Sequence, residues 1–126
     1  MTPSQIITQE AQKVGYDADV LLRKINKLIS NKAGILLQKN DSLLLLVGIA
    51  KQVAELHIFT MDPPAKVVEA LKYFMGEIKK ADIKKVYFDS NSKQEAELNK
   101  TIQVLKSLGL KVQKSNVKQY DWMVTE

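Results

Sequence analysis

The stretch Leu43-Leu44-Leu45-Leu46-Val47-Gly48-Ile49 is apolar at every position. A strand with one wetted face alternates polar and apolar residues, so an unbroken apolar run belongs inside a sheet covered on both faces. The chain must therefore supply cover on two sides, and its 126 residues are enough for one domain with a substantial core. Residues 35–39 precede the run, and between them Asn40-Asp41-Ser42 favours a tight hairpin turn. Over residues 53–61 alternation returns, with Leu56 and Ile58 on one face and Glu55, His57 and Phe59 on the other.

Helical periodicity brackets these three strands. Residues 3–14 carry Ile7, Ala11 and Val14 on one side, and Gly15-Tyr16 ends that helix. Asp17 or Asp19 can cap a second helix to about residue 29, with Leu21, Ile25, Leu28 and Ile29 on its stripe. Ile6 and Leu22 fall outside these stripes, which marks the N-terminal helices as the expected interaction element. Asp62 stands where it would cap a long helix to about residue 81, with Pro63 at its first position and Val67, Leu71, Phe74, Met75 and Ile78 inward. Gly76 inside that helix costs up to about 1 kcal/mol relative to alanine, so close packing against the sheet is its expected reason. Residues 83–89 form a short strand. Ser92 and Glu95 have capping-box spacing before a helix with Leu98, Ile102, Leu105 and Leu108 inward, and Gly109 stops it. Residues 110–114 and 120–124 read as a closing hairpin. The expected architecture is one α/β domain over residues 1–126, a mixed, mostly antiparallel sheet with flanking helices, preceded by two N-terminal helices.

Composition narrows the chemistry. The absence of cysteine excludes disulfides and thiolate catalysis, and a single histidine removes the usual zinc sites. No phosphate loop, nucleophile elbow or spaced acidic cluster is present. The first five residues are not a secretory signal, and the apolar run at 43–50 is far shorter than the roughly 20 residues that span a bilayer. Net charge is +5, but Arg23 is the only arginine and the lysines spread over many elements. Lysine lacks the planar fork that reads phosphates and guanines bidentately, so a solvated basic surface is expected rather than a nucleic-acid face.

Several segments together resemble a known fold. Ala54-Glu55-Leu56-His57-Ile58 resembles the central strand of the GCN5-related N-acetyltransferase (GNAT) family, Asp62-Pro63 its following turn, and Val86-Tyr87-Phe88-Asp89-Ser90-Asn91 its next strand. Leu105-Lys106-Ser107-Leu108-Gly109-Leu110 resembles its closing pattern. The resemblance covers most of the chain from residue 35 onward, and implies a GNAT-like sheet and an acyl-CoA cleft. It departs from the family in three places. Residues 62–67 lack the spaced glycines whose amides cradle the cofactor's diphosphate, Leu105 stands where a tyrosine often protonates the leaving thiolate, and the chain opens on helices rather than a strand. Such degenerate GNAT-like chains are similar to proteins of tailed bacteriophages.

The resemblance assigns roles to few residues. Glu55 or His57 would serve as general base on a face toward the cofactor cleft, with Tyr120 or Tyr87 as replacement acid. Met61 and Lys66 would be the cofactor contacts, and no metal is implied. Trp122 reads as core or as an interface anchor. The departures favour a non-catalytic structural or assembly protein, a component of a bacteriophage virion, with no cofactor and with other protein subunits or a second copy as partners. The alternative is a divergent acyl-CoA-dependent N-acetyltransferase acting on a small amine or a lysine with acetyl-CoA. A nucleic-acid accessory protein is the third reading, and a membrane partner is not expected. The expected location is the cytoplasm or a phage particle.

Overall fold

Local chemistry starts each of the first two helices. In the computed structural model, which describes residues 1–50, 52–88, 95–116 and 122–125, helix α1 (Pro3–Lys13) opens with a reciprocal capping box. The Thr2 hydroxyl accepts the Gln5 N–H, and the Gln5 side chain accepts the Thr2 N–H. Helix α2 (Ala18–Ser30) is capped by Asp17, whose carboxylate accepts the amides of Asp19 and Val20. Strands β1 (Gly34–Lys39), β2 (Ser42–Ala50) and β3 (Val53–Thr60) follow, then helix α3 (Pro64–Lys80) and β4 (Lys85–Phe88). Helix α4 (Glu95–Ser107), β5 (Lys111–Lys114) and β6 (Trp122–Thr125) complete the order. The sheet runs β1-β2-β3-β4-β6-β5, and β3–β4 is its parallel pair among antiparallel neighbours. This is the mixed, mostly antiparallel architecture that the periodicity predicts. The β1–β2 turn is as tight as expected, with Lys39 opposite Ser42 and Asn40 at φ 54°, a conformation asparagine tolerates.

The leucine run of β2 divides the core in two. Leu43 and Leu45 point to one face, where Ile6 and Ile7 of α1 and Ile25 of α2 cover them. Leu44 and Leu46 point to the other, against Ala54 and Leu56 of β3, Phe74 and Ile78 of α3, and Ile102 and Leu105 of α4. Each such side chain contributes about 1.5–3 kcal/mol on burial, which is why both faces must be roofed.

Three expectations are corrected here. Ile6 is fully buried and Leu22 packs on the same cluster, so neither is left over for an external partner. Val14 lies past the end of α1 and is exposed. Gly76 is solvent-facing, and a Cβ built on it meets no atom within 4 Å, so close packing does not explain it. The Ser92–Glu95 capping box lies outside the described residues. Gly109, at φ 85°, does end α4, with the Leu110 N–H bonded to the Leu105 carbonyl.

Gly76→Ala should therefore stabilise the protein by about 0.5–1 kcal/mol through helix propensity alone. Phe74→Ala, which empties the centre of the α3 face, should cost about 3–5 kcal/mol. Urea denaturation of the two variants measures both, and a destabilising alanine at 76 would restore the packing role for that glycine.

Candidate functional site

Strands β3 and β4 part early. Their parallel pairing covers only Val53–Glu55 against Lys85–Tyr87, whereas β2 stays with β3 as far as Thr60. Among the described residues, β3 beyond Glu55 therefore has a partner on one edge only. Beside the end of β3 lies a cleft of about 510 Å³ lined by Thr60 and Met61, by Val67, Val68 and Leu71 of α3, by Val104 of α4 and by Glu10 and Lys13 of α1. Its size and apolar walls match those of small-molecule sites. The Glu10 carboxylate reaches into this region and accepts the Thr60 N–H at 3.1 Å.

The junction from β3 to α3 is closed, but not in the way the sequence predicts. Asp62 is not the cap of α3. The N-cap is Pro63, which offers no side-chain hydrogen bond, and Pro64 is the first helical residue. The Asp62 carboxylate turns back to the β1–β2 turn, accepting the Asp41 N–H at 3.0 and 3.2 Å and the Ser42 hydroxyl at 2.6 Å. Because Ser42 donates its only hydroxyl proton to Asp62, the 2.6 Å contact between Ser42 Oγ and Thr60 Oγ1 is donated by Thr60. Thr60 Oγ1 in turn accepts the Asp62 N–H at 3.1 Å. Ser42, 1% exposed, is thus satisfied at the centre of a polar knot.

The neighbouring amides are engaged as well. Met61 donates to the Asp41 carbonyl at 3.0 Å, and Lys66 and Val67 donate to the Pro63 carbonyl at 3.0 and 3.1 Å. Pro63 and Pro64 carry no N–H. Of residues 61–67, Ala65 alone retains an amide outside this set, which is too little to cradle a diphosphate. Lys66 is exposed on the first turn of α3, and Met61 packs against the α1–α2 side of the core.

The other predicted residues scatter. Glu55 and His57 do meet, with His57 Nε2 3.1 Å from Glu55 Oε1 and side chains 41% and 29% exposed for His57 and Glu55. They lie on the strand face shared with Leu45, and neither lines the cleft. Tyr120 lies outside the described residues. Tyr87 is buried and its hydroxyl donates to Asn116 Oδ1 at 3.4 Å. Trp122 stacks on Phe88 at 6.4 Å between ring centroids and packs against the core, so it is structural rather than an external anchor. Leu105 is a core residue, 2% exposed. Among the described residues no cluster of His, Cys, Asp or Glu could hold a metal, and no helix is long and apolar enough to cross a membrane. Sequence reasoning missed Ser42, Thr60 and Glu10. The available signal for the first two was a pair of hydroxyl residues at strand ends flanking Asp41 and Asp62.

No protein-family model matches the sequence, and no curated protein matches it significantly. Solved structures do. The ribosomal-protein-S18-alanine N-acetyltransferase from Escherichia coli superimposes over 98% of this chain and 83% of its own, with a TM-score of 0.53 at 13% identity. The ribosomal-protein-S5-alanine acetyltransferase from Vibrio fischeri covers 84% of this chain and 67% of its own, with a TM-score of 0.51 at 13% identity. The fold is that of the GNAT acetyltransferases. At such identity the likeness concerns the fold alone. The GNAT resemblance read from the sequence holds to that extent, and the further likeness to bacteriophage proteins has no counterpart in these structures.

If the Asp62 carboxylate holds the hairpin turn rather than capping α3, Asp62→Ala and Ser42→Ala should each cost about 1–3 kcal/mol and should couple strongly. A double-mutant cycle by urea denaturation should return an interaction term of about 0.5–3 kcal/mol. Additive losses would show that the two side chains act independently.

Proposed function

We propose that the chain binds an acyl thioester in the cleft beside β3 and transfers its acyl group to an amine, as a divergent N-acetyltransferase. One observation carries this reading: among the described residues β3 beyond Glu55 pairs with β2 alone, and its end at Thr60, whose N–H Glu10 takes, borders an apolar cleft of about 510 Å³. The amide-bearing arm of a thioester such as acetyl-CoA can add to an open strand edge through main-chain hydrogen bonds. Its methylenes then meet Val67, Val68, Leu71 and Val104. The GNAT fold agrees with this use of the cleft.

The reaction needs the amine nitrogen to attack the thioester carbonyl carbon. A C–N bond forms, the C–S bond breaks, and the thiolate recovers the proton that the nitrogen releases. The Glu55–His57 pair is the available base. Glu55 Oε1 stands 3.1 Å from His57 Nε2, which holds the carboxylate beside the imidazole. Neither side chain lines the cleft, so in this reading a water carries the proton to the pair. Leu105, buried in the core, supplies no acid.

A thioester-binding module without turnover is the second reading, and Leu105, buried where an acid would stand, favours it. No described feature bears on the virion role or on the subunit partners that the departures from the family pattern pointed to.

Thiol release from acetyl-CoA or acetyl-pantetheine, with a small amine or a lysine peptide as acceptor, tests the proposal. Saturable release is expected, lost in Val104→Trp, which fills the cleft, and reduced about a hundred- to ten-thousandfold in kcat by His57→Ala. Binding without release would leave the module reading. Neither binding nor release at millimolar thioester would remove both.

A further inference from the structure

We infer that the Glu10 side chain plugs the free edge of β3, and that the amide-bearing arm of an acyl thioester must displace it before adding to that edge; this rests on the acyl-transfer reading of the same cleft. The seated carboxylate and the bound arm are alternatives. The unliganded chain therefore holds part of its own site occupied through one hydrogen bond.

The direction of one amide carries the argument. Successive N–H groups along a strand point to opposite edges. Met61 directs its N–H toward the β1–β2 turn, to the Asp41 carbonyl at 3.0 Å, so Thr60 directs its own to the other edge, away from β2. On that edge β3 has no strand partner beyond Glu55 among the described residues, and the Thr60 N–H donates instead to Glu10 Oε1 at 3.1 Å. A carboxylate from α1 thus stands where the carbonyl of an added strand would stand. An arm lying along this edge presents amide carbonyls as acceptors, and a linear bond from one N–H serves one acceptor.

The exchange is confined to one side chain. Glu10 is half-buried on the last turns of α1, so its departure breaks one bond and no strand ladder. Lys13 lies one turn further along the same helix and also lines the cleft, with no carboxylate within salt-bridge distance among the described residues. A displaced Glu10 can pair with it at i,i+3 spacing on the helix surface. The polar knot is left intact, because Thr60 holds Ser42 and Asp62 through its hydroxyl rather than through its N–H. The cleft therefore keeps its walls while the plug leaves.

Acetyl-pantetheine is the probe, because it carries the arm and the thioester without a nucleotide. Calorimetry on the full chain would compare wild type with Glu10→Asp, which keeps the charge but is a methylene shorter and falls short of Thr60, and with Glu10→Gln, which keeps an accepting oxygen at full reach. Glu10→Asp should bind the probe about tenfold more tightly, the scale of one net hydrogen bond. Glu10→Gln should gain less. Amide hydrogen exchange gives a second readout: the Thr60 N–H should exchange faster in Glu10→Asp than in wild type and regain protection when the probe is added. Unchanged or weaker binding in Glu10→Asp would overturn the inference while acyl transfer stands. A larger gain in Glu10→Gln than in Glu10→Asp would overturn it too, since charge rather than occupancy of Thr60 would then be the cause. If neither wild type nor the variants bind acetyl-pantetheine at millimolar concentration, the acyl-transfer reading falls and takes the inference with it.

Discussion

Four consecutive leucines in β2 cannot be left wet on either side, and that constraint organises the rest of the chain. Leu43 and Leu45 require α1 and α2 above one face, and Leu44 and Leu46 require α3 and α4 above the other. Two helical layers on one sheet oblige the chain to cross from β3 to β4 by way of α3, the parallel connection in an otherwise antiparallel sheet. Among the described residues the parallel pairing ends at Glu55, and the cleft lies further along, at the end of β3 beside Thr60 and Met61. The candidate site is thus a consequence of the topology that the burial of β2 imposes. The core that fixes it, centred on Phe74 and Leu105, also takes away the position from which a tyrosine could serve as acid.

Asp62 illustrates how two local demands compete for one side chain. Pro63 precedes another proline, and a residue before proline is displaced from the helical region, so it stays extended at φ −67° and ψ 161°. The helix accordingly begins one residue later than the spacing of Asp62 and Pro63 predicts, and Asp62 stands too far back to reach the first-turn amides. Its carboxylate instead accepts from Asp41 and Ser42, tying the exit of β3 to the β1–β2 turn. Charge-assisted bonds to a half-buried carboxylate are among the stronger ones available, so the knot holds the floor of the cleft while the helix start goes uncapped.

The secondary structure was legible because periodicity is a local property. The spacing of Ile7 and Ala11, the alternation of β3 and the turn at Asn40-Asp41 each carry their own signal, and the structure places each as predicted. Relations across the chain were not legible. Ile6 sits one position off the stripe drawn for α1, yet the angle at which that helix crosses β2 buries both Ile6 and Ile7. Gly76 carries no tertiary demand that any pattern could have encoded. The Glu10 to Thr60 bond joins residues 50 apart in sequence, and the separation of β3 from β4 depends on where a later strand stops pairing. The double proline is the exception. It encoded the late helix start in two adjacent residues, and the steric rule for a residue preceding proline was sufficient to read it.

An acyl-transfer site divides its binding between the end where bonds change and a handle remote from them, and the handle contributes to rate only if its binding energy is used to hold the reacting end in place. On the proposed reading the reacting end would use the apolar cleft at the end of β3, while the region a nucleotide handle would use is occupied by the protein's own hydrogen bonds. Freeing those bonds to hold a diphosphate would dismantle the knot that supports Thr60 and Met61, which themselves line the cleft. Donor affinity and cleft integrity thus draw on the same few groups.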